Sequence, residues 1–281
     1  MSEYAKLVTS LTPVKILERW KEITPIEKIS GVPTSAGSSM PSEHVFDGHD
    51  EEQIKLMEEL CIVLDSSDTP IGAGTKKLCH LMSNINEGLL HRAFSVFLFS
   101  RDGKLLLQQR ADEKITFPNM WTNTCCSHPL CVPSELGIDG LARGYQNDLD
   151  TAVAGAKMAA QRKLFHELGI PEKDCPISEF KFLTRIHYKS ASGDESSKWG
   201  EHEIDYILFL QATQQIQVEA NLNEVKDFKY VSIAELKEMF NNKDLEFTPW
   251  FKLICETFLF QWWADLDHIE QFADDRIHRL L

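Results

Sequence analysis

The spacing of apolar residues along the chain predicts strands and helices in mixed order. Runs rich in β-branched and aromatic residues predict the strands, at residues 61–64, 92–99, 104–110, 181–188, 203–211 and 225–231. Apolar residues at helical spacing predict the helices, at residues 13–23, 51–59, 151–168, 233–240 and 249–266. Asp102-Gly103, between two of the strands, predicts a hairpin turn. Because hairpins replace a strict alternation of strand and helix, the pattern favours an α+β fold with a mixed sheet.

Capping residues mark the ends of three of these helices. Gly169 predicts the end of the longest one, since glycine readily adopts the left-handed conformation after a last turn. Ser232 and Glu235 have the spacing of a capping box. Thr248 followed by Pro249 is typical of an N-cap and a first-turn proline.

The amino-acid composition and the net charge limit the kinds of molecule that the protein can bind. The chain has 281 residues, and the hydrophobic share of 43% is enough for a sizeable core. With 29 Lys and Arg against 43 Asp and Glu, the formal net charge is −14. Such a charge argues against binding to nucleic acid or an anionic membrane, although a local basic pocket can still hold a small anionic substrate. Neither an apolar run of about 18 residues nor a signal peptide is visible, so no membrane association is expected.

A stretch rich in Ser, Pro and Gly at residues 30–50 is typical of a linker. We therefore expect an N-terminal extension over residues 1–50, partly disordered, and one folded domain over residues 51–281. Neither a GxGxxG nor a GxxxxGKS/T fingerprint occurs, so no flavin or nicotinamide cofactor is expected.

The cysteines indicate the redox compartment. They lie at positions 61, 79, 125, 126, 131, 175 and 255. Their odd number and irregular spacing do not resemble a disulfide framework, which favours a reducing compartment. Because the last residues are not the peroxisomal SKL signal, cytoplasm is the expected location, with the peroxisome left open.

Histidines and glutamates in separate segments have the chemistry of a metal site. They are His80, His91, His128, Glu201 and Glu203. If residues 201–203 form a strand, the two carboxylates point to the same side. Such a set of imidazoles and carboxylates suits a six-coordinate divalent ion such as Mg²⁺, Mn²⁺ or Zn²⁺. The alternative is that each histidine is a partly buried side chain held by hydrogen bonds.

Cys126 lies beside a Ser-His-Pro sequence and is a candidate nucleophile or base. A thiolate whose pKa is lowered by a histidine or a metal is one interpretation, and a small buried hydrophobic residue is the other. In an extended chain, only one of Cys125 and Cys126 faces a site. A zinc knuckle of Cys125, Cys126, His128 and Cys131 is a weaker alternative, because adjacent cysteines fit one tetrahedron poorly.

Basic residues gather locally despite the acidic total. They are Lys76, Lys77, Arg110, Lys114, Arg162 and Lys163. Such groups can hold a diphosphate, with arginine as a bidentate partner, and the alternative for each is a solvated surface position. The aromatic segment 250–263 is typical of core packing, although Trp250 at its start can face a cavity and stabilise a cation through its ring.

Several segments carry a family resemblance. They are TNTCCSHP at 122–129, GEHEIDY at 200–206, HRAFSVFLF at 91–99 and TPWF at 248–251. Together they resemble the type I isopentenyl-diphosphate isomerases, which belong to the Nudix superfamily. The resemblance extends over about residues 51–270 and implies a Nudix-like mixed β-sheet packed between helices. Residues 1–50 and 136–150 have no clear counterpart in that family and are expected to be an extension and an inserted loop.

The resemblance assigns roles to individual residues. The implied metal ligands are His80, His91, His128, Glu201 and Glu203, with Glu167 at a second Mg²⁺ bound to the diphosphate. The implied catalytic residues are Cys126, Glu203, Tyr188 and Trp250. The implied diphosphate-binding residues are Lys76, Arg110, Lys114 and Lys163. Since the family often has arginine where this chain has Lys163, the charge is kept but the bidentate fork is lost.

The implied activity interconverts isopentenyl diphosphate and dimethylallyl diphosphate by a 1,3 proton shift through a tertiary carbocation, in the supply of isoprenoids and sterols. Glu203, with Tyr188 as a relay, would protonate the alkene, and Cys126 would take the other proton, with the roles reversed in the reverse direction. Mg²⁺ is the implied cofactor, a small isoprenyl diphosphate the implied partner, and a monomer the implied state.

Residues 162–170 partly match the Nudix box of pyrophosphate hydrolases. Lys163 and His166 replace two of its glutamates, and Glu167 remains. Because the carboxylates of that box hold metal ions, hydrolysis by this helix is disfavoured. A Nudix-type diphosphate hydrolase stays the alternative enzyme, and a metal-stabilised interaction module with purely structural His and Cys residues is the non-catalytic alternative.

Overall fold

The computed structural model describes residues 2–29, 44–137, 148–194 and 196–281. Its helices are Glu3–Ser10 (α1), Pro13–Arg19 (α2), Glu51–Leu56 (α3), Lys76–His80 (α4), Met82–Asn86 (α5), Leu149–Leu168 (α6), Ile233–Asn241 (α7), Pro249–Ile254 (α8) and Phe260–Trp263 (α9). Its strands are Thr24–Pro25 (β1), Leu60–Leu64 (β2), Pro70–Thr75 (β3), Leu90–Phe99 (β4), Leu105–Arg110 (β5), Trp121–Thr122 (β6), Cys125–Ser127 (β7), Lys181–Ala191 (β8), Gly200–Gln211 (β9), Val225–Val231 (β10) and Ile277–Arg279 (β11). Most of the predicted linker and of the predicted inserted loop lies outside the described residues, so the domain boundary at residue 50 stays a prediction.

Every predicted strand and helix has a counterpart in the structure, with small shifts at the ends. The helices and strands that the sequence pattern missed are α1, β1, β3, α4, α5, β6, β7 and β11. Two glycines weaken the pattern of β3, and α4 and α5 are single turns too short to show a helical period. Among the missed elements, α4 and β7 carry residues of the candidate site.

The strands form one mixed sheet in the order β1-β3-β2-β4-β9-β8-β11. β4 pairs with β9 in parallel, and β8 with β11, whereas the other described pairs are antiparallel. β5 and β7 leave this path and pair with β4. The predicted α+β fold with a mixed sheet is confirmed.

Helices cover both faces of the sheet. Successive residues of β4 point to opposite faces. Phe94, Val96 and Leu98 pack with α6 on one face. Phe97 and Phe99 pack with α8 and α9 on the other. All of these side chains are fully buried, so β4 is a central strand, and its last four residues, 96–99, form a continuous apolar run.

α6 lies against the sheet through small side chains. Ala152, Ala156 and Ala160 are spaced by four residues and are buried on one face of the helix. Gly169 ends the helix in the left-handed conformation, with φ 64°, and its N–H donates to carbonyl oxygens of the last turn. The predicted end of α6 is therefore confirmed.

The N-terminal helices pack against the fold. Leu11, Ile16, Trp20 and Ile23 are buried in an apolar cluster with residues of β2 and β3, and β1 pairs with β3. Residues 3–25 therefore pack on the sheet, while the expected partial disorder of residues 1–50 stays a prediction. The four apolar side chains cover an edge of the sheet that would otherwise be exposed to water.

The helix after Thr248 and Pro249 differs from the prediction in two respects. Thr248 makes no capping hydrogen bond through its side chain, and its hydroxyl oxygen lies 2.8 Å from that of Thr122. A π-helical turn at Cys255–Leu259 joins α8 to α9, and the helix ends at Trp263, earlier than predicted. The Thr248 hydroxyl thus links α8 to β6 beside the candidate site.

In the part of the chain that the structure describes, no helix is long and apolar enough to cross a membrane. α6 has 20 residues but includes Lys157, Arg162 and Glu167.

Replacing Gly169 with alanine should destabilise the fold more than a glycine replacement in open surroundings. At φ 64°, a Cβ on Gly169 would lie 2.5 Å from the carbonyl oxygen of Glu219. We expect the free energy of unfolding to fall by about 2 kcal/mol or more, because left-handed strain adds to a backbone clash. Gly48→Ala is the control, since Gly48 also has a positive φ, 84°, but no described atom within 4 Å of the added Cβ. Urea unfolding measures both variants, and equal losses would contradict the role of the close approach.

Candidate active site

One face of the sheet changes from apolar to polar along two neighbouring strands. On β4 this face carries Phe97 and Phe99 at one end and His91 at the other. On β9 it carries Phe209 at one end and Glu203 at the other. The parallel pairing places His91 opposite Glu203. The polar ends of both strands therefore meet beside the apolar core under α8 and α9.

The five predicted metal ligands lie together in the fold. They are His80, His91, His128, Glu201 and Glu203, and one ligand atom from each lies within 4.8 Å of the others. His128 is the most accessible of them, with 11% of its side chain exposed. Glu201 and Glu203 point to the same side of β9, as predicted. His80 ends α4, His91 begins β4, and His128 follows β7, so the cluster joins four separate segments.

A hydrogen bond behind His80 decides which ring nitrogen faces the cluster. Thr75 caps α4 by accepting from the N–H of Leu78. One turn later, Nδ1 of His80 lies 2.6 Å from the carbonyl oxygen of Lys76. Since a carbonyl oxygen only accepts, Nδ1 carries the proton and Nε2 presents a lone pair. Histidines that bind metals are oriented in this way.

The donor atoms of the cluster converge on one centre. Nε2 of His80 lies 2.8 Å from Oε2 of Glu201 without hydrogen-bond geometry, and among the described residues neither atom has another hydrogen-bond partner. Nε2 of His128 and Nε2 of His91 lie 2.7 and 3.2 Å from Oε1 of Glu203. The buried atoms of His80 and Glu201, which approach one another without hydrogen bonding, suit a shared divalent cation. The residues present therefore fit a divalent metal ion.

The charges of the cluster shift its pKa values in opposite directions. Burial lowers the pKa of His80 to about 4. Burial also disfavours the charged form of His91, but Glu201 and Glu203 outweigh it and raise the pKa of His91 to about 10. Burial opposes ionisation of Glu201 as well, yet the neighbouring histidines hold its pKa well below the ordinary value. Without a metal, the cluster is thus a network of carboxylates and shared protons.

Tyr188 lies opposite Glu203 on the neighbouring strand β8. Its hydroxyl donates to Oε2 of Glu203 over 2.6 Å, while Oε1 of Glu203 faces the histidines. Burial, together with the Glu203 charge, raises the pKa of Tyr188 well above the ordinary value, so the hydroxyl keeps its proton. Glu203 therefore connects the metal-ligand cluster to a hydroxyl that lines the cavity.

Cys125 and Cys126 point to opposite sides of β7, as predicted, and this argues against the zinc knuckle. Cys125 is buried, with Sγ 3.4 Å from Oε2 of Glu167. Cys126 lines the cavity, with Sγ 3.8 Å from Nη1 of Arg110. Burial raises the pKa of Cys126 to about 12 in spite of this cation. In the metal-free chain desolvation thus outweighs the nearby charge, and a thiolate whose pKa is lowered by a metal or a histidine stays a prediction.

Arg110 holds the loop that follows β5. Its Nε and Nη2 donate to the carbonyl oxygens of Phe117 and Thr116, at 2.9 and 2.8 Å. Its Nη1 lies beside Cys126, and the guanidinium carbon lies 5.7 Å from the centre of the Trp250 ring. Two of the three guanidinium nitrogens, which were predicted to bind a diphosphate, thus already donate to backbone carbonyl oxygens.

Trp250 lines the same cavity from the first turn of α8. Its Nε1 donates to Oδ1 of Asn123 over 3.2 Å. The rings of Phe117 and Tyr188 pack around it, with centroids 5.1 and 6.2 Å away. These contacts hold the indole in one orientation, so its π system is preorganised toward any cation that forms in the cavity.

Three of the four predicted diphosphate-binding residues line this cavity. They are Lys76, Arg110 and Lys114. Lys163 is not among the lining residues, and its Nζ lies 3.2 Å from Oε1 of Glu167 in a buried ion pair. Glu167 also accepts from Nε2 of Gln108 at 3.0 Å and does not belong to the five-ligand cluster. The predicted roles of Lys163 and Glu167 toward a diphosphate therefore stay predictions.

The structure adds residues that sequence reasoning did not select. Asn123 orients Trp250, and Glu224 forms an ion pair with Lys114. Asp205 is buried on the same face of β9 as Glu201 and Glu203. The hydroxyl of Ser95 on β4 donates to Asp205 over 2.8 Å. Asn123 and Asp205 lie inside the quoted motifs, so a signal for them existed. Glu224 lies in a loop outside those motifs and had no such signal.

The chain is similar to proteins of known family. A family model described as NUDIX domain matches residues 89–251. An isopentenyl-diphosphate delta-isomerase of Candida albicans is 71% identical over 282 residues, which covers 100% of this chain and 99% of that protein. A protein of the same name from Schizosaccharomyces pombe is 58% identical and covers 85% of this chain and 99% of its own length. Another from Gibberella zeae is 59% identical and covers 78% of this chain and 81% of its own length.

Binding of a divalent ion to the cluster should release protons. At pH 7 the pKa of about 10 keeps His91 protonated in the metal-free chain, and metal binding needs the neutral ring. The affinity should therefore rise as pH increases from 7 toward 10 and fall at lower pH. Titration calorimetry with Mn²⁺ in buffers of different ionisation enthalpy measures the released protons. A binding enthalpy that does not depend on the buffer would contradict this expectation.

A pair of histidine variants locates the binding site in the same experiment. His91→Ala removes a buried ligand and should weaken Mn²⁺ binding at least about a hundredfold. His268→Ala is the control, because the His268 side chain is 74% exposed and its ion pair among the described residues is with Asp265, away from the cluster. Equal affinities of the two variants would place the ion elsewhere.

Proposed function

The chain belongs to the isopentenyl-diphosphate delta-isomerase family of NUDIX-fold proteins, and we propose that its Cys126 and Glu203 carry the two proton transfers of that activity. The enzyme interconverts isopentenyl diphosphate and dimethylallyl diphosphate, which differ in the position of one C=C bond. The observation that carries the residue assignment is the single cavity that contains Cys126, Tyr188 and Glu203 together with basic residues.

The reaction requires a strong acid in a dry site, because an unactivated alkene is a very weak base. Tyr188 is 3% exposed and Glu203 is 4% exposed, so little water reaches the proton-transfer groups. The apolar core under α8 and α9 closes the cavity behind Trp250. These features support protonation of a bound alkene in preference to reaction with water.

Glu203 and Tyr188 form one of the two proton-transfer groups. The Tyr188 hydroxyl donates to Glu203 over 2.6 Å and lines the cavity, so it can pass a proton between the carboxylate and the substrate. Burial opposes ionisation of Glu203, but its hydrogen bonds with His128 and His91 lower its pKa. Glu203 is thus a carboxylate in the resting chain and can accept a proton through Tyr188.

Cys126 is the other proton-transfer group. Burial raises its pKa to about 12, so the resting chain has a protonated thiol. In the direction that the family resemblance implies, Glu203 protonates the alkene through Tyr188 and Cys126 takes the other proton. The protonated thiol of Cys126 and the carboxylate of Glu203 are the states left at the end of that direction, and the reverse direction returns both protons. Arg110, 3.8 Å away, stabilises the thiolate when it forms.

A tertiary carbocation between the two proton transfers needs stabilisation that water cannot supply in a closed cavity. The ring of Trp250 can supply it through its π system, since Asn123 and the neighbouring rings hold it in place. The carboxylate of Glu203 adds a negative charge on the same cavity wall. Trp250 and Glu203 therefore act on the cation, and the basic residues act on the diphosphate.

We assign the five-ligand cluster to Mg²⁺, and its donor set also suits Mn²⁺ or Zn²⁺. A divalent ion bound there supplies positive charge that increases the acidity of groups attached to it. The diphosphate is bound by Lys76, Arg110 and Lys114, with Lys163 and Glu167 next to them. Glu167 is proposed as a ligand of a second Mg²⁺ that enters with the substrate.

The remaining proposals concern the cellular setting. All seven cysteines are free thiols, six of them buried, which supports a reducing compartment such as the cytoplasm. We propose that the product enters isoprenoid and sterol biosynthesis. A monomer is proposed as the working state, and sedimentation analysis tests it.

Three single variants test the proton-transfer assignment. Cys126→Ala and Glu203→Gln should each lower kcat at least about a hundredfold, because each removes a group that exchanges a proton with the substrate. Cys125→Ala is the matched control, since the Cys125 side chain is buried on the other side of β7. Its activity should stay within about threefold of the wild type. Formation of dimethylallyl diphosphate from isopentenyl diphosphate and Mg²⁺, under reducing conditions, is the measurement.

Near-normal isomerisation by both Cys126→Ala and Glu203→Gln would reject the assignment. Complete inactivity of the reduced, metal-loaded wild type would reject the proposed function itself.

The enzyme should release no phosphate from its substrate. The helix that holds metal ions in the hydrolases carries Lys163 and His166 at two of its carboxylate positions, and Glu167 is already paired with Lys163. Incubation with a panel of diphosphates, followed by phosphate and pyrophosphate assays, tests this expectation. Release at a rate comparable to isomerisation would favour the hydrolase.

A further inference from the structure

Glu224 is a buried carboxylate next to the proposed diphosphate site. It lies just before β10 and is 2% exposed. Its Oε2 forms a short ion pair with Nζ of Lys114, and the two side chains are 1% and 7% exposed. Desolvation of an unpaired carboxylate costs several kcal/mol, so this pairing is required for Glu224 to stay charged in the interior.

Other contacts fix the Glu224 carboxylate from a second side. Nε2 of Gln53 donates to Oε1 of Glu224 over 3.1 Å and to Oδ1 of Asn223 over 2.8 Å. The backbone of Glu224 accepts from the N–H of Ala111 over 3.0 Å, at the start of the loop that carries Lys114. Glu224 therefore ties this loop to α3, and its carboxylate has little freedom to move away from Lys114.

The charges around Glu224 explain why such a carboxylate is needed. Burial lowers the pKa of Lys114, the cations Arg110 and Lys76 lower it further, and Glu224 opposes both effects. Burial disfavours the charged form of Glu224, yet Lys114, Lys163 and Lys76 hold its pKa far below the ordinary value. Glu224 is thus the ion-pair partner of Lys114, and its negative charge also acts on Lys163 and Lys76, which the family resemblance likewise assigns to the diphosphate.

We propose that Glu224 is a positioning residue for the diphosphate end of the substrate, which keeps the Lys114 ammonium charged and directed at the cavity. It acts through Lys114, since Lys114 lines the cavity and Glu224 does not. This inference rests on the proposed function, because it takes Lys114 as a ligand of the diphosphate. A cation that is already held in place loses little side-chain entropy when an anion binds, so the contribution of Glu224 is to substrate affinity.

The test is a comparison of KM with kcat. Glu224→Gln keeps the size of the side chain and its contact with Gln53 but removes the charge. We expect KM for isopentenyl diphosphate to rise about tenfold or more, with kcat within about twofold, because the alkene end of the site is unchanged. Glu219→Gln is the matched control, since Glu219 lies five residues earlier on the exposed side of the same loop. Its KM should equal that of the wild type.

A double variant separates action through Lys114 from a general loss of structure. Lys114→Met with Glu224→Gln removes both charges, and a buried pair that is removed together is well tolerated. This double variant therefore remains testable even if Glu224→Gln alone does not fold. If Glu224 acts through Lys114, the KM of the double variant should lie within about twofold of that of Lys114→Met alone. Titration calorimetry with inorganic pyrophosphate and Mg²⁺ should show the same pattern. Glu224→Gln should bind pyrophosphate more weakly than the wild type, and the double variant should bind it as Lys114→Met does.

Two results would overturn the inference. One is a folded Glu224→Gln variant with the wild-type KM, or with a loss confined to kcat. The other is a double variant whose KM exceeds that of Lys114→Met by the full factor seen for Glu224→Gln. Both results presuppose an active wild type, so they are distinguishable from a failure of the proposed function, which would appear as a wild type that forms no dimethylallyl diphosphate.

Discussion

The parallel pairing of β4 with β9 is the constraint on which the site depends. Its register places His91 beside Glu203, and the side-chain period of two brings Glu201 to the same face. A slip of β4 by one residue would turn His91 toward the opposite face of the sheet and bring Leu90 or Arg92 into its place. The apolar ends of the same strands prevent that slip, because the residues that pack on α6 and on α8 bury both faces of the sheet. The hydrophobic core thus determines the geometry of the polar site.

The burial that excludes water from the site also raises the free energy of its charged side chains. Ion pairing offsets this desolvation cost. Lys114 has Glu224, and Lys163 has Glu167, each within the protein interior. On the opposite face of the sheet, directly after His91 in the chain, Arg92 is paired with Asp68 in the same way, through a fully buried guanidinium. A chain with a net charge of −14 can therefore bind a diphosphate, since the relevant cations are local and already compensated.

α6 keeps one carboxylate of a Nudix box, Glu167, and also positions neighbouring segments of the site. Arg162 forms an ion pair with Glu135 at 2.6 Å and also donates to the carbonyl oxygen of His128 over 3.4 Å. The helix thus holds the segment that carries both Cys126 and a metal ligand. Lys163 and Glu167, at two positions of the Nudix box, form a buried ion pair next to Cys125 of β7. At these positions the helix therefore contributes an ion pair that stabilises the fold around the cavity.

The sequence by itself determined the central strands, α6 and its glycine end, because local periodicity and capping depend on neighbours in the chain. Its motifs also predicted the five ligands that the fold brings together. The tertiary structure alone decided that Trp20 and its neighbours cover the sheet edge, that the pKa of Cys126 is raised, and that Arg110 gives two of its nitrogens to the backbone. It alone revealed Glu224 as the partner of Lys114. Desolvation and ion pairing depend on which distant segments pack together, and no local pattern in the chain records that.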